Sequence, residues 1–152
     1  MQNATVNPIP EGYHTLTPIL VTVQAQSVID FLKNAFDAQV RSIHHLPDGA
    51  VMHAELQIGN SMLMMSDASE KYPAIKTMLS VYVPNVDEVY KNALAAGGTS
   101  LREPTNEFYG DRSCGILDLA GNQWWIATHI EDVSPEEMKR REEEYAKKQQ
   151  GS

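Results

Sequence analysis

Two stretches decide how this chain is read: GNSMLMMSD, from Gly59 to Asp67, and GNQWWIATH, from Gly121 to His129. Each opens on Gly-Asn, a turn dipeptide, and runs into an apolar segment of strand length. The second begins 62 positions after the first. Another pair keeps the same order, KNAFDA from Lys33 and KNALAA from Lys91, 58 positions apart. Two matched pairs at nearly equal spacing indicate an internal repeat, and a repeat governs the reading of every motif inside it.

Working outward from these anchors, both halves show one grammar. KNAFDA and KNALAA lie on segments with apolar residues at helical spacing, Val28, Ile29, Phe31, Leu32, Ala35 and Phe36 in the first, Val86, Val89, Tyr90, Ala93 and Leu94 in the second. An apolar strand-like run precedes each helix, Leu16 to Val23 and Met78 to Val83. Three short strands follow each helix. In the first half they span 40–46, 51–58 and 61–66, broken by Pro47-Asp48-Gly49 and Gly59-Asn60. In the second they span roughly 100–108, 113–117 and 123–128, broken by Tyr109-Gly110-Asp111-Arg112 and Ala120-Gly121-Asn122. Both halves therefore read βαβββ, an α+β pattern. Ser134-Pro135-Glu136-Glu137 then starts a further helix, with Ser as cap, Pro in the first turn and Glu three residues past the cap. That helix is charged with mixed sign to about Lys148, which suits a solvated or interface-covering element rather than a core one.

With 152 residues, 42% hydrophobic and 21% charged, the chain can bury a core without staples. A formal charge of −8 argues against nucleic-acid phosphates and anionic membranes as partners. Cys114 is the single cysteine, so no intramolecular disulfide framework exists and a reducing compartment is expected. There is no apolar run of about 18 residues, and Met1 to Pro10 lacks the cationic start and apolar stretch of a signal peptide. A cytoplasmic protein is the resulting expectation.

Specific stretches carry a resemblance. Tandem βαβββ modules, with PEGYHT (10–15), VMHAEL (51–56), FYGDR (108–112) and EDVSPEE (131–137), resemble the vicinal oxygen chelate superfamily, and most nearly its PhnB-like branch. That superfamily includes glyoxalase I, extradiol dioxygenases, fosfomycin resistance enzymes and bleomycin-binding proteins. The resemblance covers about residues 9 to 140. It implies an N-terminal tail (1–8), one domain (9–130) whose two modules (about 9–70 and 74–130) form a ligand cleft, and a C-terminal helix (131–150). It also implies a homodimer, which open sheet edges favour. One departure is plain: a family-typical Asp-Pro-Phe-Gly-His turn stands here as Asp118-Leu119-Ala120-Gly121-Asn122.

Family members that use a metal carry His, Gln or Glu at the start of the first strand and in the middle of the last strand of each module. Aligned on the strand-to-helix junctions and the Gly-Asn turns, those places hold Thr17, Met78, Leu63 and Trp125. None suits a divalent cation, which wants imidazole nitrogen or carboxylate oxygen, so no cofactor is expected. A divalent metal at a displaced site stays the alternative. Strand alternation puts Trp125 on one face with Gln123, Ala127 and His129, and turns Trp124, Ile126 and Thr128 the other way. Trp125 is then read as a stacking surface for a planar organic ligand, beside adaptable methionines, with Leu63 and Met65 on the corresponding face of the sister strand. The plain alternative is an indole that merely fills a cavity. Thr17, Met78, Tyr109, Arg112 and His129 complete the expected ligand-binding set, with Arg112 open between fixing a loop and binding a carboxylate. His53 and Glu55 share a face at i and i+2 and are the candidate catalytic pair. Of His44 and His45 only one can share that face, and a Cys114–His129 nucleophile–base pair stands against a packing role for the thiol. The expected function is metal-independent binding, or sequestration, of a small apolar or aromatic molecule. A glyoxalase-type lyase, isomerase or dioxygenase using a non-standard site is the alternative.

Overall fold

The computed structural model describes residues 5–151, so the first four residues of the expected tail and the closing Ser152 lie outside the described residues. The chain divides into two compact units, residues 1–77 and 78–152.

The first unit runs β1 (Ile19–Thr22), α1 (Ala25–Phe36), β2 (Gln39–His45), β3 (Val51–Ile58) and β4 (Ser61–Asp67). Its strands are ordered β1-β4-β3-β2, with β1 parallel to β4 and the other pairings antiparallel. Gly59, at φ +55°, lets the chain reverse in two residues, so that Ile58 pairs with Ser61. Leu20, Ala54, Leu56, Leu63 and Met65 form one buried row across the sheet. α1 packs on β3 and β4 and buries Val28, Ile29, Phe31 and Leu32. Nothing in the sequence before α1 caps it, and Gln24 takes a left-handed φ of 53°. The cap comes from the neighbouring strand instead, where Asp67 pairs with Thr22. Asp67 accepts from the Ala25 N–H at 2.9 Å with one oxygen and from the Val51 N–H at 2.7 Å with the other, clamping the helix start to the sheet.

The second unit repeats the plan: β5 (Met78–Tyr82), α2 (Val86–Ala95), β6 (Thr99–Asn106), β7 (Asp111–Leu117) and β8 (Gln123–His129), ordered β5-β8-β7-β6. Asn85 caps α2 by accepting from the Glu88 N–H at 3.1 Å, and Gly97, at φ +101°, follows its end. Cys114, Ile116, Trp124 and Ile126 form the buried row beneath α2, so Trp124 packs on the helix side. The last helix, α3 (Pro135–Gln150), is capped by Ser134 at 3.2 Å from the Glu137 N–H. None of its residues is buried. Polar and aromatic ties hold it: Arg141 donates to the Phe108 carbonyl at 2.9 Å and to Glu131, and the Tyr145 ring lies 4.9 Å from that of Phe108.

Several boundaries differ from expectation: β6 ends at Asn106 rather than Phe108, and of the expected C-terminal helix 131–150 only Pro135–Gln150 is helical, since Ser134 caps it. β1 is shorter than Leu16–Val23, because Pro18 has no N–H for a ladder and Leu16 stands exposed. β7 starts at Asp111 rather than Ser113, since the reversal is completed by Glu107–Gly110, where the Gly110 N–H bonds to the Glu107 carbonyl at 3.2 Å.

Candidate functional site

On the face of the second sheet opposite α2, strand register brings Ser80, Trp125, Gly115 and Arg102 into one row. Trp125 is half-buried and leans over Gly115: a Cβ at that glycine would sit 2.7 Å from Cζ3 and 2.8 Å from Cη2 of the indole. The ring can therefore lie down on the sheet only because position 115 has no side chain. Its Nε1 donates to Gln123 Oε1 at 3.1 Å, and the Arg102 guanidinium stands over the ring at 5.2 Å from the centroid. Arg102 is pinned in turn, its Nη2 lying 2.7 Å from Glu107 Oε1 and donating to Ser113 Oγ.

Toward one end of this face lies a hydrogen-bonded chain of ionisable groups. Buried Asp111 accepts from the Tyr82 hydroxyl at 2.7 Å on one oxygen, and its other oxygen is 2.8 Å from His129 Nδ1. His129 Nε2 is 2.7 Å from Asp132 Oδ1. The carboxylate at each ring nitrogen favours the protonated imidazole, its pKa raised by the bond to Asp111 first and that to Asp132 second. The Tyr82 phenol is likewise pushed up, chiefly by its bond to Asp111. Both ring nitrogens are thus engaged within the protein.

The equivalent face of the first sheet carries the row Ile19, Met64, Glu55 and Ser42. Glu55 accepts from the Tyr13 hydroxyl on one oxygen and from Ser42 Oγ at 2.8 Å on the other. These bonds, Tyr13 before Ser42, hold its carboxyl below the usual range, while burial and then Glu55 push the Tyr13 phenol up to about 12. His53 and Glu55 do share a face, but their closest approach is 4.0 Å, beyond hydrogen-bond reach. His44 stands directly across from His53. The sequence carries no signal for Ser42, and for Tyr13 only its place in PEGYHT.

Several expected site residues lie elsewhere. Leu63 and Met65, 4% and 0% exposed, belong to the row under α1, opposite Leu56 and Ala54, and do not share Trp125's kind of face. The cause is the turn. The first hairpin reverses through two residues between Ile58 and Ser61, the second through five between Leu117 and Gln123, so counting from Gly-Asn shifts the faces by one. Met64, not Leu63, is the counterpart of Trp125. Arg112 lies on the α2 side across from Thr128, with Nε and Nη2 each 2.9 Å from Asp87 and Nη1 3.0 Å from Asn106. It fastens α2, its Nε–Nη2 edge taken by Asp87. Cys114 is buried on the α2 side, its thiol pushed up to about 11 chiefly by burial, whereas His129 pairs with Asp111 on the other face. No nucleophile–base pair forms between them. Thr17 precedes β1 and is half-buried, Met78 is exposed across from Gln123 on Trp125's face, and Tyr109 is an exposed turn residue edge-on to Phe108.

With the register corrected, the places that the resemblance assigns to a metal hold Thr17, Met78, Met64 and Trp125. A hydroxyl, two thioethers and an indole do not fit a divalent cation. Among the described residues no set of three or more His, Cys, Asp and Glu is arranged to hold a metal ion.

A family profile described as Glyoxalase/Bleomycin resistance protein/Dioxygenase superfamily matches residues 13–126. An uncharacterized protein of Mycobacterium bovis is 30% identical over 134 residues, 81% of this chain and 88% of that one. An uncharacterized protein of Mycobacterium tuberculosis, strain H37Rv, is 30% identical over the same length, 79% of its own chain. Among solved structures, TioX from Micromonospora sp. ML1 superposes with a TM-score of 0.67 at 22% identity, over 77% of this chain and 99% of that one. A PhnB protein from Bacillus cereus does so with a TM-score of 0.59 at 20% identity, over 76% and 99%. These likenesses show the same fold of two tandem βαβββ modules.

Proposed function

The chain belongs to the glyoxalase/bleomycin resistance protein/dioxygenase superfamily, and on that premise we propose that it binds a small, flat, largely apolar organic molecule without a mediating metal. The single observation behind this reading is the half-buried Trp125 laid over Gly115 on the sheet face opposite α2. An indole there offers a large apolar surface, and its N–H is already satisfied by Gln123, so the ring contributes contact area rather than polarity. A few polar groups at its rim, Arg102, Tyr82 and His129, complete the usual make-up of a small-molecule site. Binding without turnover amounts to sequestration. The test is a fluorescence titration with 2-naphthol, using Trp124, buried beneath α2, as the internal reference. Saturable quenching that disappears in Trp125→Ala supports the reading; quenching that persists in that variant refutes it.

The acting species is proposed to be a cytoplasmic homodimer with residues 9–130 working as one domain. The open, unclosed order of two four-stranded sheets and the lone, buried Cys114 support this. A sedimenting species of 16.9 kDa would refute the dimer.

A second reading, a glyoxalase-type lyase, isomerase or dioxygenase, draws on His44 and His53 facing each other beside Glu55. It is the weaker one, because both Glu55 oxygens already serve Tyr13 and Ser42. Turnover restored by zinc, nickel, manganese or iron and lost in His53→Ala would bring it forward.

A further inference from the structure

We infer that the molecule bound on Trp125 is an aromatic carboxylate and that Arg102 is the residue that selects it; this rests on the binding reading above. The chain has five arginines. In Arg41, Arg112, Arg140 and Arg141 the Nε–H donates to a side-chain oxygen, at 2.9 to 3.0 Å. Arg102 differs. Only its Nη2 is engaged, by Glu107 and Ser113, and its Nε and Nη1 meet no acceptor among the described residues.

The side chain is nevertheless fixed. Glu107 and Ser113 hold one corner of the guanidinium, the Trp125 ring lies 5.2 Å from its centre, and 41% of the side chain stays exposed. A planar cation held over the indole with donors unused is complementary to an aromatic ring bearing a carboxylate. Pre-organisation matters, because little rotamer freedom is lost when the ligand arrives.

The surroundings sharpen the selection. With a net charge of −8 the protein as a whole does not draw anions in, so any preference for a carboxylate has to be local. Glu107 neutralises the Nη2 corner, and His129 is enclosed by Asp111 and Asp132. The unengaged donors of Arg102 are then the cationic feature next to the indole. Aromatic cations and neutral aromatics gain nothing from them.

The test is isothermal titration with 2-naphthoate and with 2-naphthalenemethanol, a neutral molecule carrying the same ring, against the wild type, Arg102→Gln, Arg102→Lys and Trp125→Ala. The expected result is a preference for naphthoate of about tenfold or more in the wild type, as for a hydrogen bond to a charged group. That preference collapses in Arg102→Gln, where naphthoate binds no better than the neutral probe, and survives in part in Arg102→Lys. Equal affinity for the two probes in the wild type, or a preference that persists in Arg102→Gln, overturns the assignment while leaving the binding reading intact. Failure of both probes to bind the wild type, or binding of both unaffected by Trp125→Ala, overturns the binding reading and this inference with it.

Discussion

One added methyl group at Gly115 tests the site without touching a residue proposed to contact ligand. The Cβ of Gly115→Ala would lie 2.7 Å from Cζ3, 2.8 Å from Cη2 and 3.1 Å from Cε3 of Trp125. Carbon atoms sit comfortably at roughly 3.5–4.0 Å, so the indole has to retreat by about 1 Å or change rotamer. The backbone at position 115 is not left-handed, so alanine brings no strain of its own and the effect is steric. Because the displaced ring is half-exposed, the fold should lose only about 1 kcal/mol, the low end of overpacking. Binding should suffer more. Stacking on an aromatic side chain contributes roughly 1–3 kcal/mol, so a misplaced ring weakens 2-naphthoate by about 5- to 150-fold. Titration calorimetry reads the affinity, and tryptophan emission reads the ring, since Trp124 stays buried while Trp125 moves toward water. A Gly115→Ala protein with unmoved emission and an affinity within about twofold of wild type would refute the claim that the glycine seats the indole.

Asp118 is 5% exposed and accepts from the Ala120 and Asn122 N–H groups and the Trp124 Nε1–H, each at 2.9 Å. Asp118→Ala strips the acceptor from a buried indole and a tight loop, and should cost about 2–4 kcal/mol in a urea denaturation; a loss below about 1 kcal/mol would contradict this. The pKa of His129 is raised by Asp111 and Asp132, so its stabilising contribution is complete below its unfolded value of about 6.5 and fades as pH rises through the higher folded value. The stability difference between wild type and His129→Gln should therefore be greatest in acid and shrink in alkali, and a pH-independent difference would count against the double carboxylate clasp. Arg112→Gln, which releases Asp87, should leave naphthoate affinity unchanged, and a loss of affinity would restore Arg112 to the binding set.

Much of the fold could be read because its signals are local. Strand alternation separated Trp124 from Trp125, and a Ser-Pro-Glu-Glu cap located the start of α3. The site depended on register, which is not local. Both halves show Gly-Asn, yet only the second places Asp118 four residues ahead of Asn122, where its carboxylate gathers the N–H groups of a five-residue loop. The first reverses in two residues. The lengths differ by an odd number, and an odd shift exchanges the faces of a strand, so Trp125 was placed on its face while Leu63 and Met65 were not. Arg102 carries no local signal. In LREPTN it looks like any charge on a half-exposed strand, and only pairing across three strands sets it beside Gly115 and Trp125.

The two rows, aligned by structure, show what the repeat has been made to do. Ile19, Met64, Glu55 and Ser42 in the first sheet correspond to Ser80, Trp125, Gly115 and Arg102 in the second. In the first, the third position holds a carboxylate whose oxygens are taken by Tyr13 and the neighbouring Ser42, which closes that row to an outside partner. In the second, the same position has no side chain at all. A carboxylate there would collide with the indole and neutralise the guanidinium beside it, removing both the flat surface and the charge. Glycine at 115 leaves room for the first and keeps the second, so the asymmetry between the modules lies at the position where a flat anionic ligand would require it.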